Sequence, residues 1–256
     1  MAGSPIQTDI EQTIYAAERT GLKLAIKGRL IALALVGAWM VSTRGADRAA
    51  EIVAALLVLA ALGIVHFLVI GTRWDRKWVK YVFLSVDLLL LSAAMAVVPP
   101  EPRFDLPQIF MFRFDVFDYY YIILGVAAFS FSPGLVLWAG MFGAAGWLAA
   151  FARVRAGMEA PLEWADSLGD GTREQFLGVF LNENFAATGS RLHEAFMYLL
   201  VAVLIAIVMY RARQTLRHQL EAERDIATVS QLFGRFVPEA VARSMIEDRG
   251  VLDPVE

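Results

Sequence analysis

Cysteine is absent from the 256-residue sequence, which excludes disulfides, thiolate metal sites and a thiol nucleophile. Charge is thin: Asp, Glu, Lys and Arg make up 19% of residues and the formal net charge is -3. No basic excess is available to neutralise phosphates, so a nucleic-acid partner is excluded. The chain also lacks a G-x-x-x-x-G-K-[ST] loop, an H-E-x-x-H helix and a G-x-S-x-G elbow, so no catalytic residue and no metal ligand is assigned. The N-terminus, MAGSPIQTDIEQTIYAAERTG, lacks the basic-then-apolar layout of a secretory signal and reads as retained.

What fills the sequence is apolar. Hydrophobic residues account for 58% and mean hydropathy is +0.54, against about 45–50% apolar usage in soluble domains. Six stretches are long enough, or nearly so, to cross a bilayer that needs about 20 residues of helix: 27–43, 49–71, 79–98, 114–131, 133–152 and 191–210. Pro99 and Pro100 close the third, and Pro133 opens the fifth after the tight link SFSPG. The expected fold is all-α: an integral membrane six-helix bundle over 27–210, preceded by an amphipathic helix in 1–26 that lies on the membrane face or a partner. All four lysines, Lys23, Lys27, Lys77 and Lys80, fall in segments that share a side with Arg211, Arg213 and Arg217. This places both termini in the cytoplasm of a bacterial inner membrane.

On the opposite side two loops are long. In PPEPRFDLPQIFMFRFD, Phe110, Phe112 and Phe114 alternate as an interfacial strand or wedge does. The other, 153–190, carries an apolar face of Phe176, Val179 and Phe180 that predicts a surface helix, and its acids Glu159 and Glu163 read as a solvated face. LGDGTRE within it reads as a turn, and Tyr119, Tyr120 and Tyr121 read as an aromatic belt.

Charged and ionisable groups at membrane depth are costly, so they mark candidate ligand-sensing positions. Asp87 lies about 10 Å in from the cytoplasmic edge of the third span; it is either such a position or a partner for a serine, a threonine or a snorkelling arginine. His66, Asp118 and His193 complete the set. Two imidazoles can clamp a haem iron, but His66 and His193 fall at opposite depths. In the fifth span Ala139 with Gly143 and Gly140 with Ala144 form a small-residue face for close helix packing, within the bundle or across a dimer.

The sixth span does not stop at the membrane. MYRARQTLRHQLEAERDIATVSQLF continues without proline or glycine, and Ala222, Ile226 and Val229 follow a coiled-coil seam beside an offset stripe of Leu216 and Leu220. A cytoplasmic stalk over 211–233 that pairs in a homodimer is expected, then a joint over 234–256 where Gly234 ends the stalk and Pro238 opens a new helix.

The segment QLFGRFVPEAVARSM, with Phe233, Gly234, Arg235, Phe236, Val237 and Pro238, resembles the transducer that precedes the catalytic domain of class III adenylate cyclases. The six-span region looks like the membrane anchor of the bacterial single-chain members. The resemblance covers about 15 residues at the motif. It implies a protein that converts ATP to cyclic AMP and pyrophosphate, with Mg or Mn bound in a catalytic domain that follows residue 256; this chain holds none of that domain's residues and no cofactor of its own. The lipid bilayer, a second copy of the chain and a small-molecule or lipid ligand are the partners implied. A transporter or haem-binding electron carrier, and the sensor region of a histidine kinase, are the alternatives.

Overall fold

A computed structural model describes residues 5–44, 46–98, 106–164 and 171–236. They form seven α-helices: α1 Pro5–Arg44, α2 Ala46–Val69, α3 Val79–Val97, α4 Asp118–Phe129, α5 Pro133–Ala156, α6 Arg173–Phe180 and α7 Thr188–Phe236. Two 3₁₀ turns, Gln108–Arg113 and Asp115–Phe117, lead into α4. Among the described residues there is no strand, only an isolated bridge between Leu162 and Phe185.

Four helical segments are long and apolar enough to cross a membrane: Tyr15–Thr43, Val79–Val97, Pro133–Ala156 and Thr188–Val229. Val53–Val69 and Asp118–Phe129 are shorter apolar helices. The chain is thus an all-α membrane protein.

Residues 12–210 make one compact unit. Its core gathers α3, α4, α5 and the first part of α7 around Leu88, Tyr120, Val136, Ala139, Trp147 and Tyr198, each wholly buried. The small residues of α5 explain how α7 comes so close. A Cβ on Gly143 would stand 2.7 Å from Cε1 of Tyr198, and one on Gly140 would meet Ala202. The small-residue face therefore packs within the chain. The hairpin between α4 and α5 turns at Phe131, whose φ of 55° is left-handed, and Pro133 sits in the first turn of α5. The second unit, described over 5–11 and 211–236, is helical throughout. Along it Leu216 and Leu220 are half-buried, whereas Ala222, Ile226 and Val229 are exposed.

Several expectations change. The helix of 1–26 is not separate from the first span: α1 runs unbroken across residue 26. No proline follows Pro5 to stop it, and two of its charged residues, Glu18 and Arg29, find buried partners. Phe110, Phe112 and Phe114 form no strand. Ile109 and Phe112, three apart on one side of the 3₁₀ turn, are both buried, and the Phe112 ring lies 4.8 Å from Trp147. Tyr120 is not in an aromatic belt but in the core, its hydroxyl 2.8 Å from Ser92 Oγ. Glu163 is not merely solvated, since it accepts hydrogen bonds from the Thr188 backbone and hydroxyl. Finally, α7 passes through Gly234 and reaches Phe236. A single glycine inside a helix costs only about 1 kcal/mol.

Candidate functional site

The four candidate sensing residues fall into two places. The first is a buried ion pair. Arg29 of α1 donates through Nη2 to Asp87 Oδ1 of α3 at 2.6 Å and through Nη1 to the other carboxylate oxygen. The same Nη2 donates to the Leu59 carbonyl of α2 at 2.8 Å. Both side chains are under a tenth exposed. Such a pair survives away from water only when its geometry and remaining hydrogen bonds offset the cost of removing two ions from solvent. Here the fork of the guanidinium meets both carboxylate oxygens, which a lysine could not do. Of the partners expected for Asp87, the arginine is the one present.

His66 lies on α2, buried, its ring stacked on Phe83 of α3 at 4.3 Å and 3°. The cavity beside it, bordered by Tyr15, Asp75 and Lys80, has a volume of about 10 Å³, room for one water at most. Further pairs close this end of the bundle. Lys80 bridges Glu18 at 3.0 Å and Ser132 at 2.9 Å, and Arg19 pairs with Asp75 at 2.8 Å. Asp87 and His66 are therefore filled positions that join α1, α2 and α3.

The second place is an open cleft of about 430 Å³ that brings Asp118 and His193 together with Arg113, Tyr121, Arg191 and Glu194. The 3₁₀ turn and first turn of α4 supply Phe117, Asp118 and Tyr121. The first turns of α7 supply Arg191, His193, Glu194 and Met197. The two guanidiniums hold the walls. Arg113 donates to the Asn182 and Phe185 carbonyls at 2.7 and 2.6 Å and lies over the Phe110 ring at 4.3 Å. Burial, and the like charge of Arg191, hold its pKa below the usual guanidinium value. Arg191 donates to the Phe112 carbonyl and pairs with Glu194 at 2.8 Å. Asp118 is exposed, and among the described residues no hydrogen bond or ion pair reaches it.

His66 and His193 lie in different sites, so the structure does not bring them together. Sequence reasoning missed Arg113, Tyr121, Arg191 and Glu194. The available signal was the i,i+3 spacing of Arg191 and Glu194, and an arginine set among the aromatic residues of QIFMFRFD. Among the described residues no group of three or more His, Asp or Glu is placed to hold a metal ion.

Of the expected transducer, Phe233, Gly234, Arg235 and Phe236 are helical, while Val237 and Pro238 lie outside the described residues. The proposed seam residues Ala222, Ile226 and Val229 are all on the exposed side of α7, with Ile226 at 67%. No protein-family model, curated protein or solved structure matches this chain.

Proposed function

We propose that the chain is the membrane anchor and receptor region of a bacterial class III adenylate cyclase, set in the inner membrane with six spans and both ends in the cytoplasm. One observation carries this reading. Helix α7 runs without interruption from Thr188, three residues before the cleft residue Arg191, to Phe236 inside the FGRFVP motif. A helix that borders a ligand-sized cleft at one end and enters a transducer motif at the other can carry a shift between them. A ligand then regulates only through its different affinity for two arrangements of that helix.

Two copies pair along Ala222, Ile226 and Val229, whose exposure supports this role. Tethering in one membrane raises the effective concentration of so short a seam. In this reading ATP and its Mg or Mn are bound by the catalytic domain that a class III transducer precedes. The sensor of a histidine kinase shares the stalk logic, but the FGRFVP segment favours the cyclase. A transporter or haem carrier draws on Asp87 or His66, and the contacts of both residues already account for them.

The absence of cysteine makes the test clean. Joined after Glu256 to a class III catalytic domain that is active only as a dimer, the chain confers cyclic AMP synthesis in membranes. Ile226→Cys forms a disulfide-linked dimer under mild oxidation, whereas Leu216→Cys does not. Absence of activity together with absence of the Ile226→Cys dimer refutes the proposal.

A further inference from the structure

We infer that the loop between α2 and α3, residues 70–78, is a binding site for the headgroup of an anionic phospholipid in the adjoining leaflet. The inference rests on the membrane character of the helices and not on the cyclase reading.

The flanks of the loop fix its depth. It leaves the apolar helix Val53–Val69 and enters α3, which starts at Val79 and is long enough to cross a bilayer. A segment joining the ends of two such helices stands at headgroup level. Trp74 and Trp78 are exposed there, at 67% and 57%, and indole rings favour that same layer.

Charge selects the occupant. Residues 70–78 contain three cations, Arg73, Arg76 and Lys77, and one acid, Asp75. The acid is taken. Its side chain is mostly buried, pairs with Arg19 of α1 at 2.8 Å and accepts a hydrogen bond from the Gly71 N–H at 2.9 Å. The neighbouring Lys80 and Glu18 likewise answer each other at 3.0 Å. Arg73, Arg76 and Lys77 are exposed, and among the described residues no ion pair or side-chain hydrogen bond reaches them; Arg73 lies over the Trp74 ring at 5.6 Å. The loop therefore presents unmatched positive charge and no unmatched negative charge.

Its shape is set before any lipid arrives. The Trp74 N–H donates to Thr72 Oγ1 at 3.2 Å, the Asp75 N–H to the Thr72 carbonyl at 3.1 Å and the Val79 N–H to the Arg76 carbonyl at 2.9 Å. Gly71, with φ of 91°, makes the left-handed turn out of α2. A preorganised loop loses little freedom on binding. Guanidiniums offer forked hydrogen bonds to a phosphodiester and the ammonium adds a point charge. Free phosphate shares this chemistry, but the two tryptophans commit the site to a headgroup carried on acyl chains.

The experiment uses the full chain in phosphatidylcholine nanodiscs, and the absence of cysteine allows a single fluorescent label. Val82→Cys, exposed one turn after Trp78, reports beside the loop, and Val97→Cys, exposed at the other end of α3, reports on the opposite leaflet. Brominated-chain phosphatidylglycerol and brominated-chain phosphatidylcholine are the quenchers. One Lys or Arg near an anionic surface changes lipid binding about fivefold, so phosphatidylglycerol should quench at Val82→Cys at a mole fraction lower by about fivefold or more. At Val97→Cys the two lipids should quench alike. Arg73→Gln, Arg76→Gln and Lys77→Gln together should bring them to parity at Val82→Cys. About 1 M salt, which shortens the screening length to about 3 Å, should do so without any substitution. Inorganic phosphate at constant ionic strength should leave the preference intact. Parity in the parent, an equal preference at both ends of α3, a preference that survives the triple substitution or high salt, or one abolished by inorganic phosphate overturns the inference. No cyclase output is read, so each of these results leaves the anchor reading to its own crosslinking and activity test.

Discussion

Removing the carboxylate of Asp87 should be among the most damaging single changes in the bundle. The Asp87 side chain is 5% exposed and that of Arg29 9%, and two charge-assisted hydrogen bonds join them. Hydrogen bonds to charged groups contribute about 1.5–3 kcal/mol each. In Asp87→Ala both are lost and the Arg29 guanidinium keeps only the Leu59 carbonyl. A buried charge left without its partner costs about 3–5 kcal/mol, and that is the expected destabilisation. Asp87→Asn keeps one acceptor and should cost about half as much. The double variant Arg29→Leu with Asp87→Leu removes both charges and replaces them with apolar volume, so it should lie within about 1–2 kcal/mol of the parent. Equilibrium unfolding in mixed micelles supplies the four corners of the double-mutant cycle. A coupling energy below about 0.5 kcal/mol, or a double variant as unstable as Asp87→Ala, would refute the assignment of this pair as a mutually dependent unit.

Other outcomes follow from the packing. Gly143→Ala puts a methyl group against the Tyr198 ring and should cost about 1–3 kcal/mol by overpacking. Gly125→Ala on α4 meets nothing within 4 Å and should be neutral or stabilising by up to about 1 kcal/mol; thermal unfolding of the two variants side by side checks the contrast. Arg113→Lys loses the fork that holds the Asn182 and Phe185 carbonyls, so amide exchange over 173–187 should speed several-fold while α3 and α5 stay protected. Glu163→Gln weakens the anchor on Thr188 and should raise exchange at the first turn of α7 alone.

How much of this was legible in the sequence depends on the range of the interaction. Local chemistry could be read: Pro133 opening α5, α3 ending just before Pro99, and the surface helix α6, which starts at the Thr172 capping box. Asp87 was legible as costly, because the price of a charge in lipid is a property of one residue. An arginine was among the partners expected for it, but which arginine was not legible, since 58 positions separate Asp87 from Arg29 and no periodicity links residues on different helices. The alternation of Phe110, Phe112 and Phe114 misled because residues 109–112 are all apolar and so also satisfy the three-residue period that puts Ile109 and Phe112 on one buried side. Asp118 and His193 were singled out separately. That they share a cleft depends on how α4 and α7 meet, where the Tyr198 ring packs against Tyr121 and its hydroxyl donates to the Tyr120 carbonyl.

The paired charges along α1 have a mechanical consequence. Glu18 meets Lys80 and Arg29 meets Asp87, contacts about 16 Å apart along α1 and about 10 Å apart along α3 at 1.5 Å per residue. A rod fastened at two heights to the same neighbour cannot roll about its axis or slide along it unless both fastenings open together. The stretch of α1 from Glu18 to Arg29 therefore travels with α3 as a single lever, and any motion that leaves the ion pairs intact must pivot around that lever, not within it.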